Sequence, residues 1–187
     1  MVLGFVIAII AIIIVVYVII LFNSLVYLHN NIKKAIANID VLLKQRSDEV
    51  PNLINTVKGY MKHERRVLNE VTKARSAMMG ARSLGKKAQA DNMLTSALKS
   101  MFAVAENYPK LKANENFLAL QKRITGLENE IADRREFYND SVNIYNIRIQ
   151  SFPDLVFVKL FKFKKELMFE ATAKERELVK VKLNKKN

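Results

Sequence analysis

The chain has no cysteine, no tryptophan and only two histidines among its 187 residues. Without cysteine there is no disulfide, no thiolate metal site and no acylated lipoprotein anchor. The redox compartment stays open, because absence suits either side of a membrane. Glycine and proline are scarce as well, at five and three. Alternating apolar and polar stretches, the mark of a half-buried strand, are missing. Aliphatic residues recur instead at steps of three, four and seven, so the chain reads as all-α.

Charge is missing from the start of the chain. The first charged residue is Lys33, and Leu3 to Phe22 is an unbroken run without charge or strong polarity. Twenty helical residues reach roughly 30 Å, the thickness of a bilayer's hydrocarbon core. A helix also satisfies every backbone polar group that lipid leaves dry. A cleaved secretory signal would need a basic leader, a shorter apolar core and a small-residue cleavage site. Here only Met1 and Val2 precede the run, which exits through Phe22-Asn23-Ser24-Leu25. The expectation is a retained span, residues 1–23. All 31 Lys and Arg and all 18 Asp and Glu follow it, so the rest of the chain carries the formal +13. From the first of these, Lys33, Lys34, Lys44 and Arg46, the expectation is that the C-terminal side lies in the cytoplasm and the N-terminus outside.

Residues 24–153 read as a bundle of long antiparallel helices. The stripe Leu25, Leu28, Ile32, Ala35, Ile39 and Leu42 continues the span without a linker. It resumes as Leu53, Val57, Tyr60, Val67 and Val71, so one long helix is expected to run to Met78-Met79-Gly80. Pro51 interrupts it, either as a kink or as the first turn of a new helix; unbroken phase favours the kink. Gly80 and Gly85 bracket a turn. A shorter helix follows over about 88–107, stopped by Tyr108-Pro109. The next, about 111–152, carries Phe117, Leu120, Ile124, Leu127, Ile131, Tyr138, Val142, Tyr145, Ile149 and Phe152 at the 3.5-residue repeat of coiled-coil packing. It is expected to pair with the first helix, with the 88–107 helix covering the seam.

Residues 154–187 form a basic C-terminal helix or tail. The segment opens apolar and aromatic, then holds ten basic residues against four acidic ones from Lys159 to Asn187. One reading makes it a fourth helix on the bundle. The other makes Lys159, Lys162, Lys164 and Lys165 a contact for anionic lipid.

Asn23-Ser24-Leu25-Val26, Asn30, Ile39-Asp40-Val41, Pro51-Asn52-Leu53, Val57-Lys58-Gly59-Tyr60 and His63-Glu64 resemble the N-terminal half of the bacterial LemA family. Phe102-Ala103-Val104-Ala105-Glu106, Tyr108-Pro109, Leu111-Lys112-Ala113-Asn114, Asn116-Phe117, Tyr138-Asn139, Tyr145-Asn146 and Phe152-Pro153 follow in the order that family shows. The resemblance covers residues 22–153. It implies a single-pass membrane protein with a helical-bundle domain, and neither a defined reaction nor a cofactor.

The residues add little chemistry. His63-Glu64 lacks the second histidine of a zinc-protease motif one helical turn on; Val67 stands there. His63 and His29 both read as solvated helix residues. Pairs such as Asp48-Glu49 and Glu128/Glu130 read as solvated surface. Basic residues are interleaved with acidic ones and the aromatics lie on the apolar stripes, which argues against nucleic-acid binding. No metal or cofactor is expected, and a non-enzymatic scaffold is. Tyr138-Asn139 and Tyr145-Asn146, seven apart, share one face. They either lie in the core and fix register or, with Asn52 and Lys58, meet a partner: another membrane protein or a second copy.

Overall fold

The computed structural model describes residues 1–170; the remainder of the basic tail, 171–187, lies outside the described residues. Among these there is no strand. Six helices follow one another: α1 (Val2–Lys58), α2 (Arg65–Gly80), α3 (Leu84–Ala105), α4 (Pro109–Lys112), α5 (Glu115–Arg148) and α6 (Asp154–Phe161). The all-α reading and the long antiparallel helices hold.

The helix that begins in the apolar run continues without interruption to Lys58, and Pro51 lies inside it. Proline has no N–H to give the carbonyl four residues back, Ser47. Arg75 supplies the missing donor, its Nε lying 3.0 Å from the Ser47 carbonyl oxygen. The helix therefore crosses Pro51 with that acceptor satisfied.

The expected continuation to Gly80 is broken once, between Lys58 and Arg65. Gly59 is a weak helix former, and the turn after it is tied down from outside. Tyr108 donates its hydroxyl to Glu64 at 3.1 Å, and Asn114 donates to the Tyr60 hydroxyl at 3.3 Å. Met61 and Val67 are buried on either side of the break, so the stripe keeps its phase and hides the turn. At the other turn, Ser83 caps α3 by accepting from the Lys86 amide, and the helix starts four residues earlier than expected. The helix expected over 111–152 is shorter at both ends. Pro109 opens the one-turn α4, and Asn114 caps α5 through the Phe117 amide at 3.0 Å.

The chain divides into two compact units. The first comprises Met1–Ala37 and Glu136–Met168. Its buried apolar residues are Leu21, Leu25, Ile32 and Ala35 of α1, Tyr138, Val142 and Tyr145 of α5, with Ile149 and Val158. Arg148 meets Ser24 and Tyr145 meets His29, so α1 and α5 run antiparallel here. The second unit is Asn38–Arg135 with the segment from Phe169. Its core runs through Val50, Leu53, Val57 and Met61, then Val67, Val71 and Ala74 of α2, Leu94, Leu98 and Met101 of α3, and Leu111, Phe117 and Ile124. Pairs Arg46–Glu128 and Glu49–Arg123 show α1 and α5 antiparallel here too, while α3 reaches the same seam through Asp91.

Candidate functional site

In the second unit the core is crossed by a buried ionic seam. Arg46, 1% exposed, stands on the apolar stripe of α1 between Leu43 and Val50. Its guanidinium donates to Asp91 at 3.0 Å, to Thr95 at 2.9 Å and to Glu128 at 3.1 Å. The other oxygen of Asp91 accepts from Arg135 at 3.1 Å, and Arg135 stacks over the Phe169 ring at 5.0 Å. Lys99 approaches the outer oxygen of Glu128 at 3.3 Å. Burial pushes the Asp91 carboxyl above its ordinary range, against the opposing pull of Arg46 and Arg135. Two arginines face two carboxylates across α1, α3 and α5. Sliding any one helix would leave a charge among aliphatic side chains, so the seam specifies register as well as contact.

In the first unit the side chains singled out from sequence meet the chain itself. Asn146 donates to the Glu166 carbonyl at 2.8 Å and accepts from the Glu166 amide at 3.0 Å, a two-point grip on backbone. Tyr138 donates its hydroxyl to the Leu167 carbonyl at 2.8 Å. Residues 163–168, which are not helical, are thus strapped to α5 at Glu166 and Leu167. Burial, with the Glu166 charge, pushes the Tyr138 phenol up to about 12 and raises that of Tyr145 as well. Asn139 is half-buried. His29 is no solvated helix residue: its Nδ1 is buried without a hydrogen bond and lies 3.4 Å from a Glu166 carboxylate oxygen. Nearer the apolar run, Tyr17 donates to Asp154 at 2.7 Å, and Arg148 bridges Asp154 at 3.0 Å to Ser24 at 2.6 Å.

Asn52 and Lys58 are exposed and belong to separate shallow clefts of the second unit. Asn52 lines one of about 350 Å³ with Asn116 and Arg123; Lys58 lines one of about 750 Å³ with Lys62 and Arg65. A third cleft, about 320 Å³, lies beside the Asp40–Lys87 ion pair and includes Ser47 and Asp48. Lys159, Lys162, Lys164 and Lys165 are all exposed. His63 sits in the turn before α2, exposed, and Glu64 is engaged by Tyr108. Among the described residues no group of three or more acidic or histidine side chains is placed to hold a metal ion. In the sequence alone Arg46 is a charge flanking the span, and the seam is a property of the fold. Its signal in the sequence was position, a charge standing where the stripe calls for an aliphatic residue.

The model of the LemA family matches residues 35–183. The chain belongs to the LemA family. The family match continues past Pro153 through most of the basic segment. Two curated relatives, the magnetosome proteins MamQ 1 and MamQ 2 of Paramagnetospirillum magneticum, are each 35% identical over 75 residues. Those residues are 39% of this chain and 28% of each relative, so this LemA-family chain spans well under half the length of the curated relatives it matches.

Proposed function

We propose that this LemA-family protein is a membrane-anchored, non-enzymatic helical scaffold that presents its helices to other membrane proteins or to further copies of itself in the bacterial cell envelope. The observation that carries the anchor is the exposure of the apolar run. Of its most apolar 18-residue window only 6% is buried, so it is no core helix, and lipid is the environment that removes that surface from water. The interaction role draws on a second apolar stripe, Phe137, Ile144 and Ile147, exposed on α5 at 55%, 56% and 56%. Steps of seven and three put the three on one face, about 100° round the helix at Phe137 and Ile144 from the buried Tyr138 and Tyr145 that follow them. In this reading Asn52 and Lys58 remain candidate partner contacts. Tyr138, Asn139, Tyr145 and Asn146 contribute by holding the strap and the register of that face. In this reading the bundle lies on the cytoplasmic side, because the first basic residues flanking the span, Lys33 and Lys34, follow it and none precedes it.

A photocrosslinking residue at Ile144 of the full chain in native membranes tests the scaffold role. A discrete crosslinked band that disappears with Asn52→Ala/Lys58→Ala at unchanged melting temperature supports it. Crosslinks to lipid alone would refute it. A second reading, peripheral binding of anionic lipid through Lys159, Lys162, Lys164 and Lys165, draws on their exposure in the structure. It requires binding to anionic vesicles that weakens as salt screens the charges. Equal binding after changing all four lysines to glutamine would sink it.

A further inference from the structure

We propose that residues 149–163 are a second membrane-embedded element, an apolar hairpin that dips into the bilayer interface beside the spanning helix. The proposal rests on residues 3–22 being the span. Within the first unit the path of the chain can be followed against α1 as a ruler. Tyr145 lies opposite His29 and Arg148 opposite Ser24. The chain then continues the same way, past the end of the apolar run and into its level, because Asp154 and Phe157 both meet Tyr17. Tyr17 precedes Phe22 by five residues, about 7–8 Å along a helix axis. From there α6 turns back and runs outward, bringing Phe161 and Phe163 to 5.0 and 6.1 Å from Phe22. A dip of that size matches the roughly 5–10 Å to which interfacial helices bury their apolar face.

The side chains suit that depth. Val156 and Leu160, four apart on one face of α6, are 59% and 72% exposed, and Phe152 in the turn before it is 84% exposed. All three belong to the stretch that Asp154, Phe157 and Phe161 hold between the levels of Tyr17 and Phe22. Around the turn the amides of Ile149, Gln150, Ser151, Leu155 and Val156 donate to carbonyls three or four residues back, the local pairing that a lipid environment favours. The one carboxylate carried to Tyr17's level, Asp154, is closed off by Tyr17 and Arg148, and Arg148 by Ser24. A buried charge at that depth is tolerated only when so paired. Lysines follow where the chain leaves: Lys159 in the last turn of α6, Lys162 at its left-handed terminus (φ 58°), then Lys164 and Lys165. On this outgoing arm the lysines alternate with Phe161 and Phe163, aromatic rings at the interface and long stems that carry their ammonium groups toward the headgroups. The attachment is therefore mainly hydrophobic and insensitive to salt, unlike binding through the lysines alone.

The absence of cysteine makes the test direct. Single-cysteine variants Phe152→Cys, Val156→Cys and Leu160→Cys of the full chain are placed in phosphatidylcholine nanodiscs, where reagent reaches both faces. Ile12→Cys reports the span and Ser76→Cys an exposed site on α2. The expected result is loss of labelling by a membrane-impermeant maleimide at all three hairpin sites, as at Ile12, in low and high salt alike. Probes attached there in detergent before reconstitution should be quenched by lipids carrying nitroxide high on the acyl chain. Labelling at the rate of Ser76→Cys, with Ile12→Cys still protected, overturns the hairpin and leaves the span standing. Protection without lipid quenching means a protein cover and overturns it too, as does protection lost in high salt. If Ile12→Cys itself labels freely, the span fails and the hairpin with it.

Discussion

Removing Arg46 should be among the most damaging single changes in the second unit. Its guanidinium is 1% exposed and holds Asp91, Thr95 and Glu128 at 3.0, 2.9 and 3.1 Å. Arg46→Met keeps the aliphatic stem and strips the charge, leaving Asp91 buried with Arg135 and Glu128 with Lys99. Breaking a buried pair by deleting one partner costs about 3–5 kcal/mol. At roughly 2–4 °C per kcal/mol for a chain of this size, that is a fall in melting temperature of about 6–20 °C. Helical circular dichroism of the full chain in mild detergent reads it. Arg46→Lys should fall in between, since one ammonium cannot serve three acceptors in a fork. The sign of the pH effect follows from Asp91, whose folded pKa lies above its ordinary value. Its ionised form is the disfavoured one in the fold, so the penalty sets in as pH rises through the carboxylate range and is relieved below it. The gap between Arg46→Met and the unaltered chain should therefore narrow as pH falls toward 4. A loss under about 1 kcal/mol at neutral pH, within the range of exposed pairs, or a gap that widens in acid, would refute the reasoning.

Three other outcomes are expected. Arg75→Met should cost about 1–3 kcal/mol by orphaning the Ser47 carbonyl, and much less when Pro51→Ala restores that carbonyl's helical donor; equal costs in both backgrounds would exclude the coupling. Tyr138 holds its proton in the fold to about pH 12 against an ordinary 10, so its contribution is complete below pH 10 and lost as pH rises through 12. Alkaline melts of Tyr138→Phe should accordingly lack a loss of about 1–3 kcal/mol that the unaltered chain shows over that interval. Asn146→Ala removes both hydrogen bonds to the Glu166 backbone and should speed tryptic cleavage at Lys164 and Lys165 while leaving cleavage at Lys110 unchanged.

Much of the fold could be read in advance because its signals are local. The apolar run, the Gly80–Gly85 turn and the stop at Pro109 are properties of a few adjacent residues. The break after Lys58 was hidden because Met61 and Val67 remain buried across it, and its ties, Tyr108 and Asn114, are far off in sequence. The ionic seam escaped for a related reason. Gaps of seven in the apolar stripes, Leu43 to Val50 and Ile131 to Tyr138, each hold an arginine at the intermediate step. Taken alone, such a residue looks like a charge on a helix face. Its meaning depends on Asp91 of a third helix. Tyr138, Tyr145 and Asn146 were correctly placed on one face, but what Tyr138 and Asn146 meet is the backbone of residues 166–167, and backbone acceptors leave no mark in a sequence. The hairpin's depth required knowing that Asp154 returns to Tyr17, 137 residues away.

The central claim, that residues 3–22 hold this protein in a membrane, is tested most directly by alkaline carbonate extraction of membranes from expressing cells, followed by intact-mass measurement of the retained protein. The expected result is that the protein stays in the membrane pellet at a mass that includes residues 3–22. Release into the carbonate supernatant, or a retained species that has lost that segment, would contradict it.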